Sequence, residues 1–156
     1  MTGTFDLSAV VLDILERRFG DRLDEYAFPP PVFVAMQGEF LEVDLDGGLL
    51  TARFPVLEEY LNPYGSMQGG MVAAAVDNTL GPLSVLVAPP NVTRRLELTY
   101  SRPATPDVQY VVVTAQLLER EDRWLFFKAD ARTPSGLRLA RAKAAHWILY
   151  ESPMEG

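Results

Sequence analysis

The residues of this chain that could do chemistry are concentrated in one stretch, NPYGSMQGGMVAAAVDNTLG, which runs from Asn62 to Gly81. The pair Gly69–Gly70 opens an apolar run that contains a single acidic residue, Asp77. The first N–H groups of a helix have no partner within the helix and lie at the positive end of its dipole. Because glycine has no Cβ, a carbonyl oxygen of a bound molecule could approach these groups closely. The stretch therefore predicts a site that stabilises an oxyanion, with a carboxylate further along the helix.

The elements that must position this stretch are predicted from periodicity and turn residues. Apolar residues recur at helical spacing from about Asp6 to Phe19, where Asp6 or Ser8 could cap the start and Gly20 ends the pattern. Two alternating runs flank a DGG turn, which indicates a hairpin. Four more strand-like runs follow the central stretch: NVTRRLELTYSR, VQYVVVTAQLLE, RWLFFKADAR and LRLARAKAAHWILY.

The central run, about Gly70 to Val87, lacks the strand bias of its surroundings. Three consecutive alanines favour a helix, and apolar residues on nearly every face are typical of a helix enclosed by protein. Gly81 and Pro82 are expected to kink this helix or end it early. These elements predict an α+β fold in one domain over residues 1–156, in which an antiparallel sheet of about six strands wraps the central helix.

Composition excludes several classes of function. The net charge of −7 argues against a nucleic-acid surface, which depends on clustered Lys and Arg. The chain has no cysteine and one histidine, so disulfides, thiolate nucleophiles and most metal or paired-histidine sites are not expected. The first twenty residues lack a basic leader, and charges interrupt their apolar positions. We therefore expect a cytoplasmic protein without a membrane span, a metal or a cofactor.

The order of these elements resembles the hotdog fold, and the central motif resembles acyl-CoA thioesterases of the phenylacetate-pathway (PaaI-like) type. Their pattern is an Asn, a Gly, a His-Gly-Gly and then an acidic residue within the following helix. The corresponding residues here are Asn62, Gly65, Gln68, Gly69, Gly70 and Asp77. The segment VTRRLELTYSRPA is similar to the third strand of that family, with Thr93 where a hydroxyl residue often faces the site. The resemblance covers residues 31 to 150 approximately.

The resemblance implies a homodimer or homotetramer that hydrolyses an acyl-CoA substrate at sites shared between subunits. Asp77 lies seven residues after Gly70, about 10 Å along a helix at 1.5 Å per residue. That distance is too long for both residues of one chain to act on one carbonyl. In hotdog dimers the two helices run side by side in opposite directions, so the acidic residue serves the oxyanion site of the partner. Asp77 is then the base for water or the nucleophile, and Asn62 holds water or the carboxylate.

Gln68 departs from the family pattern, which has histidine at this position. Its amide retains a hydrogen-bond donor but can carry neither a charge nor a catalytic proton. A second hypothesis is therefore a hotdog protein that binds acyl thioesters without hydrolysing them. A hydratase or dehydratase is disfavoured because such enzymes generally pair a histidine with an acidic residue, and a pure interaction module is a further alternative.

Other candidate residues have ordinary explanations as well. His146, beside Trp147 in an apolar strand, is interpreted as a packed core or interface histidine. Arg94 and Arg95 are candidates to bind the CoA phosphates, although strand arginines usually lie on solvated faces. Four rivals exist for that role: Arg120, Arg123, Arg138 and Arg141.

Overall fold

The N-terminal part of the molecule is a helix that packs on the rest of the fold. The computed structural model describes residues 7–150. Helix α1 spans Leu7–Phe19 and buries Val11, Leu15 and Phe19. Gly20 has a φ of 54°, the left-handed conformation that commonly ends a helix. The predicted helix is confirmed over residues 7–19, whereas its proposed cap Asp6 lies outside the described residues.

The connection from α1 to the sheet is built of short helical turns. A 3₁₀ segment, Gly20–Glu25, follows α1, and a short helix α2 spans Pro31–Ala35. Phe33 of α2 is buried and stacks on Phe40, with ring centroids 4.6 Å apart. This aromatic contact attaches the connection to the first strand of the sheet.

Within residues 7–150, six antiparallel strands form one sheet. The strands are β1 (Glu39–Asp44), β2 (Leu49–Pro55), β3 (Asn91–Tyr100), β4 (Tyr110–Glu121), β5 (Trp124–Arg132) and β6 (Arg138–Ile148). Their order across the sheet is β1-β2-β4-β5-β6-β3, so β1 and β3 are the two edges. The predicted hairpin is confirmed as β1–β2, in which Gly48 adopts a φ of 62° and donates to the carbonyl of Leu45 at 3.1 Å. The predicted α+β class and strand number are likewise confirmed.

The central helix α3 spans Gly69–Val87 and continues past Pro82, where the sequence predicted either a kink or an early end. Pro82 lacks the N–H that would bond the carbonyl of Asn78, and a proline in a helix interior costs about 3 kcal/mol. Beyond it, however, Leu83 is fully buried and Leu86 is 2% exposed. Burial of each such side chain contributes about 1.5–3 kcal/mol, so packing of the last turns outweighs the proline. The helix therefore reaches Val87, where the predicted central run ends, and of the two effects expected of Pro82 the early end does not occur.

Helix α3 forms the centre of the hydrophobic core. Its buried residues pack against inward-facing residues of the sheet such as Leu50, Phe54, Val113 and Phe127. Among residues 7–150, α3 is the one helix long and apolar enough to cross a membrane, yet half of that window is buried inside the fold. Its hydropathy is therefore accounted for by enclosure within the sheet.

Candidate active site

The start of α3 offers free backbone donors. Gln68 is the N-cap, with φ −56° and ψ 138°, and its side chain makes no capping hydrogen bond. Its carbonyl accepts bonds from Met71 and Val72, at 2.8 and 3.1 Å, whereas the N–H groups of Gly69 and Gly70 have no acceptor among the described residues. A Cβ added at Gly70 would meet nothing within 4 Å. This helix terminus is therefore accessible and can donate to an incoming oxygen.

Gly69 is more closely covered than Gly70. The hydroxyl of Tyr100 on β3 donates to the Gly69 carbonyl at 2.6 Å, and a Cβ at Gly69 would lie 3.4 Å from the Tyr100 ring. Partial burial raises the pKa of the Tyr100 phenol, so this donor stays protonated at neutral pH. Tyr100 thus fixes the first residue of α3 against the edge strand.

The loop before α3 is organised by Asn62. Its Oδ1 accepts bonds from the backbone N–H groups of Tyr64 and Ser66, at 2.9 and 3.2 Å, and its Nδ2 donates to the Ser66 hydroxyl at 3.1 Å. Gly65 has a φ of 83° in this loop and donates to the Asn62 carbonyl at 3.0 Å. Both residues therefore have a role in shaping the loop that delivers Gln68. Their predicted contacts with water or substrate stay predictions.

Asp77 lies two helical turns from the glycine pair, at the wall of an apolar cavity. The Thr93 hydroxyl on β3 donates to Asp77 Oδ1 at 3.2 Å. The cavity has a volume of about 440 Å³. Its apolar wall is formed by residues of α1, the connection after it and α3: Leu15, Phe19, Leu23, Ala27, Phe28, Pro30, Pro82 and Val85. The carboxylate thus lies at the edge of an apolar space and beside Thr93, whose predicted role in binding substrate stays a prediction.

His146 on β6 extends this polar contact into the interior. Thr93 Oγ1 also lies 3.4 Å from His146 Nε2, and His146 Nδ1 lies 2.8 Å from Asn91 Oδ1. The imidazole is 1% exposed, as expected for the core histidine that the sequence predicted. Burial lowers its pKa from the ordinary value of 6.5, and the negative charge of Asp77 partly opposes that shift.

Sequence reasoning missed the contribution of Asn91 and His146 to the site. The signal was available in part, because Asn91 and Thr93 are two residues apart and so face the same side of a strand. The register that pairs Thr93 with His146 was not readable from the sequence.

Within one chain, Arg94 and Arg95 do not contact Asp77. A bulge in the β3–β6 ladder follows Thr93, and Arg95 pairs with Ala145, the residue before His146. Since neighbouring strand residues face opposite sides, Arg95 lies on the outer face of the sheet. There it binds Glu97 at 2.7 Å, and the Arg94 guanidinium lies 5.7 Å from the Trp147 ring centroid. Their predicted binding of CoA phosphates stays a prediction.

Two of the rival arginines are already engaged by the protein. Arg123 donates to the carbonyls of Ile148 and Leu149, at 2.9 and 2.6 Å. Arg138 binds Asp130 at 3.1 Å. These contacts give both arginines structural roles at the ends of β5 and β6. Among residues 7–150, no group of three or more His, Cys, Asp or Glu side chains could hold a metal ion.

The geometry therefore defines a hotdog-fold protein with free amides at the start of its central helix and a carboxylate two turns later. No family model matches the chain. Acyl-coenzyme A thioesterase 13 of Homo sapiens is 29% identical over 100 residues, which cover 63% of this chain and 71% of that protein. The orthologue from Pongo abelii gives the same values of 29%, 63% and 71%.

Solved structures agree with this class. A phenylacetic acid degradation-related protein from Ralstonia eutropha is 26% identical, with a TM-score of 0.73 over 84% of this chain and 99% of that one. The PaaI protein of E. coli gives a TM-score of 0.74 at 13% identity over 90% and 96% of the two chains. Thioesterase superfamily member 2 from Mus musculus gives 0.69 at 19% identity over 93% and 99%. The predicted resemblance is confirmed: the chain has the hotdog fold, and its structural neighbours include PaaI-like proteins.

Proposed function

We propose that the protein is a thioester hydrolase that converts an acyl-CoA to the free acid and CoA. The observation that carries this proposal is the pairing of Asp77 with Thr93 at the edge of an apolar cavity, on the same helix that presents free amides at its start. The similarity to acyl-coenzyme A thioesterase 13 supports the choice of substrate class.

The amides at the start of α3 bind the thioester carbonyl in this proposal. In the transition state the carbonyl oxygen becomes negative, and donors aimed at it typically contribute about 10²–10³ in rate each. The open space beside Gly70 supports an approach of the substrate from that side. Gln68 is exposed at the same terminus, where its amide donor can orient the thioester.

Asp77 supplies the base. Its carboxylate takes a proton from water, the water oxygen attacks the carbonyl carbon, and the C–S bond breaks as the CoA thiolate leaves and recovers that proton. Alternatively, the carboxylate attacks the carbonyl carbon directly and expels the CoA thiolate, and water then hydrolyses the resulting acyl anhydride, which releases the acid, regenerates Asp77 and returns a proton to the thiolate. The acyl group occupies the apolar cavity beside Asp77, whose volume falls within the range of about 300–1,000 Å³ typical of small-molecule sites.

Two copies of the chain complete each site in this proposal. Asp77 lies seven positions after Gly70 on a continuous helix, so one chain does not bring them to the same carbonyl. The edge strand β3 is largely exposed, and pairing of two such edges across a two-fold axis sets the two α3 helices antiparallel. A homodimer, or a homotetramer of two dimers, results. In this proposal Arg94 and Arg95 bind the CoA phosphates, and the protein acts in the cytoplasm.

The test is release of free thiol from a panel of acyl-CoAs that varies in chain length and aromatic character. We expect hydrolysis of at least one acyl-CoA and a loss of about 10²–10⁴ in kcat for Asp77→Ala. Asp46→Asn, which removes an exposed carboxylate from the β1–β2 turn, serves as the control and should leave kcat unchanged. An unchanged rate in Asp77→Ala would refute the assigned role.

A second candidate function, binding of an acyl thioester without hydrolysis, is favoured by Gln68. Calorimetry with a non-hydrolysable CoA analogue, together with a negative thiol assay, would identify such a binder. Gln68→His is the companion variant, because an imidazole at the N-cap restores the residue of the family pattern. A gain of about tenfold or more in turnover supports a site that lost activity with the histidine. No gain indicates that the glutamine donor already suffices.

A further inference from the structure

A continuous set of hydrogen bonds leads from Asp77 into the interior of the protein. Thr93 Oγ1 bonds Asp77 Oδ1 at 3.2 Å and lies 3.4 Å from His146 Nε2. His146 Nδ1 in turn lies 2.8 Å from Asn91 Oδ1. The four side chains come from three elements, α3, β3 and β6, and all line the cavity described above. The inner two, Asn91 and His146, have no part in the reaction as proposed so far.

The orientation of the Asn91 amide is fixed by its other bonds. Its Nδ2 donates to the carbonyl of Pro89 at 2.8 Å and to that of Ser84 at 3.4 Å. Since carbonyl oxygens only accept, the nitrogen must face them and the oxygen must face His146. An amide oxygen also only accepts, so His146 carries a proton on Nδ1. The neutral ring therefore presents the lone pair of Nε2 to Thr93.

The surroundings of His146 keep the ring neutral near pH 7. The ring is 1% exposed, and its centroid lies 4.8 Å from that of Phe127 on β5. From α3 it faces the carboxylate of Asp77, and the Tyr26 phenol lines the same cavity. The guanidinium groups of Arg94 and Arg123, which are close to it along the fold, lie against Trp147 on the neighbouring position of β6. Burial lowers the imidazole pKa, and Asp77 is the charge that opposes this effect.

The Thr93 hydroxyl has one proton and two possible acceptors. With a neutral ring it can donate either to Asp77 Oδ1 or to His146 Nε2. With an imidazolium, Nε2–H donates to the hydroxyl oxygen, and the Thr93 hydroxyl can then donate its proton only to Asp77. That hydrogen bond, together with the nearby positive charge, makes the carboxylate a weaker base. The protonation state of His146 thereby controls the hydrogen bond that orients the base.

We propose that His146 is a positioning residue for the hydrolysis, acting on Asp77 through Thr93 in a tautomer imposed by Asn91. This inference rests on the proposed function, since it assigns the residue that tunes the proposed base. Activity requires the neutral ring, so the acid limb of the rate profile contains the titration of His146.

The first experiment uses the fact that His146 is the only histidine of the chain. Nitrogen NMR of protein labelled in histidine therefore reports on one ring, independently of any activity. We expect the Nδ1–H tautomer and a titration midpoint below 6.5. Asp77→Asn should lower that midpoint further, because the variant removes the negative charge that stabilises the imidazolium. Asp46→Asn, a carboxylate removed far from the ring, is the matched control and should leave the midpoint in place.

The second experiment separates positioning from a merely structural role. In His146→Gln the amide retains partners for Thr93 and Asn91, whereas His146→Phe removes them. We expect kcat to fall about 3- to 10-fold in the Phe variant, the scale of one hydrogen bond, with KM unchanged and a smaller loss in the Gln variant. Thr93→Val breaks the same link at an exposed strand position and should reproduce the kinetic loss if His146→Phe does not fold.

Trp147→Phe is the control on the same strand. Because the Trp147 side chain faces the opposite side of the sheet, this substitution should leave the pH profile unchanged. The acid limb should change in both His146 variants. An Nε2–H tautomer, a midpoint insensitive to Asp77→Asn, or an unaltered acid limb would overturn the inference while leaving the hydrolase proposal intact. Absence of hydrolysis in the unaltered protein would instead contradict the proposed function.

Discussion

Gly70 has a conformation that any residue can adopt and a free space where a side chain would be. A Cβ at this position meets nothing within 4 Å, and its φ is not in the left-handed region. Alanine there should raise the free energy of unfolding by up to about 1 kcal/mol, because glycine is a poorer helix former. The same methyl group would obstruct the approach of a carbonyl to the amides, so kcat/KM should fall by at least tenfold.

Thermal unfolding and the thiol assay measure these two effects in Gly70→Ala. Gly81→Ala, another α3 glycine with open space at its Cβ, is the reference for the gain in stability. Retention of full activity in Gly70→Ala would show that the oxyanion is not bound at the start of α3.

Single residues of the site differ in how far the sequence could predict them. Asp77 and the glycine pair could be named as candidates because they lie in one continuous motif, and their roles in the reaction stay predictions. Asn91 and His146 are 55 residues apart, and their contact depends on the β3–β6 register. Register is set by the whole sheet and by a bulge after Thr93, which no local pattern encodes.

Helix α1 is the element that closes the cavity on the side away from the sheet. Leu15 of α1 is 2% exposed and lines the cavity, whereas Leu12 on the same helix is 38% exposed. Leu15→Ala should lower the free energy of unfolding by about 2–5 kcal/mol and enlarge the cavity, which shifts the preference toward bulkier acyl groups. Leu12→Ala should change stability by no more than about 0.5 kcal/mol.

Chemical denaturation and the ratio of kcat/KM between long and short acyl-CoAs measure the two effects. An unaltered preference in Leu15→Ala would show that the acyl group does not occupy this cavity.

The elements themselves were predicted well because their signals are local. Alternation in the strands, the DGG turn and the alanine run of α3 each indicate a structure within a short window. The run predicted for α3, about Gly70 to Val87, matches the helix. The early end expected as one effect of Pro82 does not occur, because the burial of Leu83 and Leu86 is decided by the distant strands that enclose them.

At the scale of the whole molecule, a site shared between two subunits predicts that a mixture of two inactive variants regains activity. Asp77→Ala and Gly70→Val each disable both sites of a homodimer if every site takes one residue from each chain. A mixed dimer has one doubly defective site and one intact site. Since random exchange makes about half of the dimers mixed, activity should return to about a quarter of the unaltered level.

The measurement is thiol release after the two variants are unfolded together and refolded, with each variant treated alone as the control. No recovery, or a particle of one 17.3 kDa chain in light scattering, would exclude a site built between subunits.

The stability of the whole molecule should depend on pH through His146. Its pKa is lowered in the folded state, so the unfolded chain binds more protons between the ordinary value of 6.5 and the lower folded value. The free energy of unfolding is therefore fully retained above about 6.5, declines as the pH falls through that window and levels off below the folded pKa. Denaturant midpoints at several pH values measure this, and His146→Gln should remove the decline.

The position of α1 has a consequence for how the protein can be shortened. The sheet, α3 and the loop that carries Gln68 contain every group assigned to the proposed reaction, whereas Leu15 and Phe19 of α1 line the cavity in which the acyl group is proposed to lie. A variant truncated to begin at β1 would keep its reactive groups but would expose an apolar groove to water. Such a fragment is expected to self-associate or to bind detergent, so a minimal catalyst derived from this protein needs α1 to cover the groove.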